Sequence, residues 1–340
     1  MLDLGKECFR VGLVYETHSG NDRRKGRQGD MEFGVHLPTM AFGEHSFSLA
    51  NLESSAETAE RLGFTTLCAN DHLIYSRPWL DSLIALASVL TCTHRISLMT
   101  TAALPVVRGP APLAKALAAL DVLSGGRLVV GITPGSTARD YALAGIAFEE
   151  RWKRFDEAVQ MLRCLLRPDA PPFNGKFYAY EMTRLEPFPV QESGPPIWIG
   201  SWGSDAGLRR VARLGDGWLA SAFHITPESF ADGLARLHVF LEQGGKEPDD
   251  FPHALGTMFL YLTDDQRRAE EVLGGLLSPI MGRPVELVRE RVLVGSANEC
   301  VEKLAKLQAA GVRKVFLWPV ADDAMQLAKF HEAVLPQLAQ

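Results

Sequence analysis

The chain has 340 residues, of which 46% are hydrophobic and 22% charged, and its 35 Lys and Arg against 41 Asp and Glu give a formal net charge of −6. This is globular composition, and it excludes a disordered chain, a collagen-like repeat and a coiled coil. The acidic balance argues against nucleic acid as a partner, because such binders draw affinity from neutralising phosphates with a basic surplus. The five cysteines, at 8, 68, 92, 164 and 300, are odd in number and include no CxxC pair. They read as free thiols of a reducing compartment. No apolar run is long enough to span a membrane, and the N-terminus lacks the apolar core of a signal peptide. The expected location is the cytoplasm.

Thr17 to Asp30 contains no apolar side chain. Residues 1–30 are therefore expected to form a flexible N-terminal extension, with 31–340 as a single domain. Met31–Leu37 reads as a first strand, and Ser46–Leu62 as a helix closed by Gly63. Phe64–Asn70 is the second strand, Asp81–Leu90 a helix and Ile96–Leu104 the third strand. Pro112–Leu123 is helical, and Ser124-Gly125-Gly126 turns the chain into strand four at Arg127–Ile132. A long amphipathic helix at Phe148–Leu166 precedes a Pro- and aromatic-rich insertion near 169–195. Ile197–Ser201 and Gly217–Ser221 are strands five and six, separated by a helix at Asp205–Leu214. Pro227–Gln243 is a helix and Ala254–Leu262 strand seven. Asp265–Leu277 is helical, 278–291 a second, irregular insertion, and Ala297–Ala310 the last crossover helix. Val312–Leu317 is strand eight, and a terminal helix starts near Asp323.

Eight apolar strands alternating with helices argue for parallel pairing buried on both faces. The expected fold is α/β, a (β/α)8 TIM barrel with insertions; the runner-up is a doubly wound open sheet. Sites of such barrels lie where strands end at their C-terminal side. Strand two ends in Asn70-Asp71-His72, and His72 is the candidate for moving protons near neutrality; the plainer alternative is a structural histidine. Strand four runs into Thr133-Pro134-Gly135-Ser136. This loop could face a ligand or only turn the chain, and Tyr141 beyond it could touch the ligand or pack beneath. Strand five ends in Gly200-Ser201-Trp202-Gly203-Ser204 at a helix start. Free backbone amides there could cradle a phosphate, unless Ser204 merely caps the helix. Trp198 and Trp218 read as core, and Arg151, Lys153 and Arg154 as a solvated helix face. P-loop, GxGxxG, HExxH and GxSxG patterns are missing, which leaves an organic cofactor as the source of redox chemistry.

The stretches MEFGVHLP (31–38), GFTTLCANDHL (63–73), HRISLMTTAALPV (94–106), AALDVLSGGRLVVGITPG (118–135), FEERWKRFDEAVQMLRCLL (148–166), PPIWIGSWGSDAGLRRVARLGDGWL (195–219) and VGSANECVEKLAKLQAAGV (294–312) stand in one order. Together they resemble the bacterial luciferase-like superfamily of flavin-dependent monooxygenases and coenzyme F420-dependent oxidoreductases. The resemblance implies the same barrel, with a flavin or deazaflavin ring at its C-terminal mouth. It implies a bulge after strand three with a non-prolyl cis peptide, here Thr101-Ala102, under that ring. It places the phosphate loop on Gly200, Ser201, Trp202, Gly203 and Ser204 and the proton-transfer histidine at His72; Asp71, Thr133, Gly135 and Tyr141, read from the strand ends, are the other expected cofactor contacts. Where F420-dependent sugar-phosphate dehydrogenases carry a Glu after strand four, this chain has Ser136. Where they carry a Trp four residues after the histidine, it has Ser76, with Trp79 nearby. Sugar-phosphate oxidation is therefore disfavoured. Arg108 and Arg139 are the basic residues available for an acidic F420 tail.

The expected activity is a monooxygenase using reduced FMN and O2 on a small organic substrate, with a separate flavin reductase as a possible partner. The alternatives are an F420-dependent hydride-transfer dehydrogenase or reductase, a non-catalytic flavin-binding protein, and a metal-independent lyase or hydrolase. No metal is expected, the family resemblance implies a homodimer, and the cradle does not distinguish FMN from F420.

Overall fold

The computed structural model describes residues 31–43, 47–181 and 184–338; the expected extension at 1–30 lies outside them. Eleven strands are formed. They are β1 (Glu32–His36), β2 (Thr66–Ala69), β3 (Ser97–Ala103), β4 (Leu128–Ile132), β5 (Phe173–Asn174), β6 (Ala179–Tyr180), β7 (Ile197–Gly200), β8 (Gly217–Ser221), β9 (His253–Leu262), β10 (Leu293–Gly295) and β11 (Lys314–Pro319). Pairing runs β11-β1-β2-β3-β4-β7-β8, and β9 joins both β8 and β11, so the eight parallel strands close into a barrel. The closing pairs, Trp218 with His253 and Val315 with Leu255, overturn the open-sheet alternative.

Two layers of side chains hold the barrel. Alternate strand residues such as Val35, Leu67, Leu98, Val130, Ile199, Leu255 and Leu317 join the large outer cluster with the helices. The opposite parity fills the inside with Cys68, Met99, Trp198, Leu219, Ala254 and Phe316. Rings this large fit because their neighbours are small. A Cβ added at Gly34 would stand 2.6 Å from Phe316, one at Gly217 would stand 2.5 Å from Trp198, and one at Gly131 only 2.1 Å from the Thr100 carbonyl oxygen. Trp198 and Trp218 are both buried, as expected. Several helices match their sequence signals: Asp205–Leu214 starts at the Ser204 cap, Pro227–Gln243 at a Thr226 capping box, and Ala297–Ala309 at a Ser296 capping box.

Departures lie in the segments between the barrel elements. The segment 278–291, expected to be irregular, holds two short helices, Ser278–Met281 and Val285–Arg291, with Gly282 left-handed (φ 60°) between them. The expected helix 265–277 is an α-turn, Gln266–Glu270, that widens into a π-helix at Glu271–Leu277. β10 was not anticipated and pairs with β9 outside the closed ring. The stretch 169–195 carries the small β5–β6 antiparallel hairpin. Among the described residues no helix is long and apolar enough to cross a membrane.

One buried carboxylate stands apart. Asp323 opens the helix Asp323–Ala333, and its Oδ1 is buried without a hydrogen-bond partner. Burial, opposed by its own amide and reinforced by the charge of Asp322, pushes its pKa up to about 7. An unfolded Asp titrates near ~3.9, so the folded state binds this proton more tightly. Stability from this group is then full in acid and declines as pH rises from about 4 to about 7. Asp323→Asn is expected to be more stable than the parent by roughly 1–3 kcal/mol at pH 8 and no more stable at pH 4. Urea denaturation across that range checks it; a pH-independent difference would contradict it.

Candidate functional site

A cavity of about 460 Å³ opens where the barrel strands end, within the size range of small-molecule sites. It is walled by the segments after β2, β3, β4, β7, β8 and by the middle of β9. Of the residues singled out from the sequence, Asp71, His72, Thr101, Ala102, Thr133, Gly135, Gly200, Ser201, Trp202 and Ser204 line it. Tyr141 does not. It is fully buried beneath the loop and donates its hydroxyl to the Pro134 carbonyl, so its part is to brace 133–136. Gly203 also stays out of the lining and turns the cradle at φ 88°.

His72 is held rather than free. Its Nδ1 lies 3.2 Å from Asp140 Oδ2, and Asp140 Oδ1 accepts the amides of Leu73 (3.1 Å) and Ile74 (2.8 Å). Burial would raise the Asp140 pKa, but the His72 contact and those two amides outweigh it and hold the carboxyl below its usual range. A charged Asp140 fixes the tautomer with the proton on Nδ1. Nε2 has no hydrogen-bond partner among the described residues. Tyr75 and Trp79 pack on the ring at centroid distances of 4.8 and 4.9 Å, and Trp79 donates to the Asn70 carbonyl at 3.1 Å. Trp79, seven residues after the histidine, thus packs edge-on against its ring, while Ser76 stands four residues after it. Asp140 was missed because it comes from Ala138–Leu143, a six-residue helix that the apolar pattern merged into a loop.

The role given to Asp71 needs correction. Its carboxylate is 3% exposed as a residue and is taken up by Arg108, with Nε–Oδ2 and Nη2–Oδ1 both 2.6 Å. It also accepts the Leu104 amide at 3.3 Å, and Arg108 reaches on to Asp81. Asp71 therefore anchors the wall after β3, and Arg108 is not available to an acidic tail. That wall carries the cis peptide at Thr101-Ala102 and the register shift between Thr100 and Ala103. Thr101 Oγ1 donates to Asn70 Oδ1 at 2.9 Å, tying the bulge to the segment that bears His72.

Across the mouth, β7 leads into the cradle. Ser201 N donates to the Leu219 carbonyl (3.1 Å), Ser201 Oγ accepts from Gly203 N (3.3 Å), and Ser204 Oγ accepts from Gly207 N (3.2 Å). Ser204 therefore does cap the helix, yet the amides of Trp202 and Ser204 keep no partner among the described residues. Those amides sit at the positive end of a ten-residue helix, a setting for an anion. Gly207 is required for closeness, since a Cβ there would lie 2.3 Å from Ser201 Oγ. Trp202 stacks on His224 at 3.8 Å, and burial, with the charges of Arg283 and Arg291, lowers the His224 pKa to about 4. That imidazole is neutral under the indole.

Arg151 and Arg210 complete the polar side. Arg151, expected on a solvated face, lies over the Phe148 ring at 3.9 Å and lines the cavity. The first turn of the helix Arg151–Leu165 meets the mouth, whatever the polarity of its face farther along. Arg210 lies over Trp152 at 4.6 Å and pairs with Asp156. On the far wall, Thr257 adopts φ 62°, an outlier for a β-branched residue. His36 Nε2 accepts the Thr257 amide at 3.3 Å, and burial lowers the His36 pKa to about 3, which keeps it a neutral acceptor.

A closed parallel barrel with unpartnered amides at a helix start and an oriented histidine at one mouth is the architecture of an enzyme with its site at the C-terminal strand ends. The chain belongs to the luciferase-like monooxygenase family, whose pattern matches residues 31–284. It is 28% identical to the F420-dependent glucose-6-phosphate dehydrogenase of Nakamurella multipartita, over 88% of this chain and 97% of that protein. Its fold is shared by the monooxygenase RslO1 from Streptomyces bottropensis, with TM-score 0.79 and 24% identity over 90% of this chain and 99% of that one. It is shared also by an F420-dependent secondary alcohol dehydrogenase in complex with an F420-acetone adduct, with TM-score 0.77 and 19% identity over 91% and 99%.

Proposed function

We propose that this chain is an F420-dependent oxidoreductase that interconverts a small alcohol and its carbonyl compound. The observation that carries this reading is His72, with Nδ1 fixed by Asp140 and Nε2 unpartnered at the mouth cavity. The coenzyme, when bound, supplies the hydride chemistry. In alcohol oxidation Nε2 of His72 takes the hydroxyl proton, and the Asp140 carboxylate stabilises the imidazolium that forms. In carbonyl reduction the same nitrogen returns it. The free amides of Trp202 and Ser204 hold the phosphate, the wall at Thr101-Ala102 supports the ring, and Arg151 and Arg210 attract the anionic tail. Ser136 at the mouth gives no carboxylate, which disfavours a sugar phosphate as substrate. A homodimer and a cytoplasmic location belong to the same proposal.

The second reading is an FMN monooxygenase fed by a separate reductase. It is favoured by the monooxygenase description of the matched family, and the cradle suits the FMN phosphate equally. Equilibrium titration of the purified protein with F420 and with FMN, followed by oxygen uptake with each reduced form, separates the two. Expected are F420 binding at least about tenfold tighter than FMN and no oxygen uptake above the free coenzyme. Tighter FMN binding with protein-dependent oxygen uptake would move the assignment to the monooxygenase. Binding of neither would end both.

A further inference from the structure

A second cavity, of about 340 Å³, lies on the outer side of the barrel wall. The irregularity at Thr257, with its φ of 62° and a register shift of β9 against β11, separates it from the first. Gly256 and Thr257 of β9 face the mouth cavity, whereas Leu255 and Met258 line this one. Its remaining walls are the turn 222–228, the end of helix Val285–Arg291 with the start of β10, and one face of helix Ala297–Ala309.

The lining is of two kinds. Ile225, Leu255, Met258, Val292, Leu293 and Leu307 form an apolar bed. Over it stand three cations, Arg291, Lys303 and Lys306, against two carboxylates, Glu228 and Glu290. None of these five side chains forms an ion pair within 4 Å among the described residues. Arg291 Nε is buried with no partner, and its Nη1 makes only a long 3.4 Å contact with the Phe223 carbonyl. Lys303 Nζ spends two donors on the carbonyls of Arg289 (2.8 Å) and Val292 (2.9 Å), which leaves a third. Burial pulls both Lys303 and Arg291 below their usual pKa ranges. A buried donor with no partner is costly, three cations against two carboxylates leave an excess of positive charge, and a bound carboxylate would offset both.

We infer that this cavity is a binding site for a small amphipathic carboxylate, with its apolar body on the Leu255–Met258–Leu307 bed and its anionic head on Arg291, Lys303 and Lys306. A neutral ligand would leave the cations uncompensated, and a compact polyanion would leave the apolar bed wet. The volume suits a chain or ring of moderate size.

Sodium octanoate is the probe, titrated into the full chain labelled with 13C at the methionine methyls. The Met258 resonance, assigned through Met258→Leu, is expected to shift saturably. Lys306→Gln changes an exposed side chain and is not expected to disturb folding. It and Arg291→Gln are each expected to weaken octanoate binding about tenfold, because a charge-assisted contact is lost. Octan-1-ol, which has the same apolar body without the charge, is expected to bind more weakly and to be indifferent to both substitutions. A Met258 resonance unmoved at millimolar octanoate overturns the inference, as does equal affinity of the parent and Lys306→Gln. The readout does not depend on which coenzyme fills the mouth cavity.

Discussion

Replacing His72 by Asn is expected to lower turnover about 10²–10⁴-fold, the usual weight of a positioned general acid–base group, while coenzyme affinity changes less than about threefold. The split follows from the geometry. His72 reaches the cavity, but the cradle amides follow β7 and Arg151 and Arg210 lie on helices Arg151–Leu165 and Asp205–Leu214. Asp140→Asn is expected to give a loss of comparable size, although the ring stays packed on Tyr75 and Trp79, because it loses the charged partner that fixes its tautomer. Asn at 140 can present an amide NH2 to Nδ1, which favours the tautomer protonated on Nε2 and blocks proton uptake there. The charged form of Asp140 is stabilised in the fold, so its support should hold at neutral pH and fail only as pH drops through its lowered pKa. Single-turnover hydride transfer and coenzyme titration on the same variants separate the effects. Unchanged turnover in His72→Asn would show that the substrate proton travels elsewhere. A large loss of coenzyme binding instead would make His72 part of the binding surface.

The parts of this site that the sequence displayed are those built from contiguous residues. Asn70-Asp71-His72 ends one strand, and Gly200 to Ser204 ends another, so a strand followed by polar and small residues was enough to place both at the mouth. The parts that it hid are pairings across the fold. Asp140 meets His72 from 68 positions away, and Arg108 meets Asp71 from 37. A charge's partner is set by barrel closure, which no local pattern encodes. Asp71 looked like a ligand contact because it precedes His72 at a strand end. Arg151 looked solvated because Lys153 and Arg154 follow it closely in the sequence. The helices at 278–291 were obscured by Pro279, Gly282 and Pro284, which punctuate them so closely that no period of 3.6 residues develops. β10 escaped notice for a similar reason. It is three residues long and is held by β9 rather than by its own propensity.

Arg108→Met is expected to destabilise the protein by about 3–5 kcal/mol, the cost of leaving a buried charge without its partner. The Asp71 side chain is 1% exposed and the Arg108 side chain 17%, so water cannot replace the lost guanidinium. The damage should spread along a defined route. Asp71 also holds the Leu104 amide, and Arg108 ends the short helix Pro105–Arg108 that begins at the next residue. Loss of the pair therefore loosens the wall from Thr101 to Leu104 against which a coenzyme ring would rest. The Asp71→Asn, Arg108→Met double variant separates charge from packing. Removing both charges takes away the unpaired carboxylate, so the double variant should recover part of what Arg108→Met loses. Chemical denaturation gives the stabilities, provided that unfolding is a single transition. A double variant no better than Arg108→Met would show that hydrogen bonds to Leu104 and Asp81, rather than the buried charge, dominate the loss. If Arg108→Met cost less than about 1 kcal/mol, the pair would be behaving as a solvent-screened surface contact, which its burial contradicts.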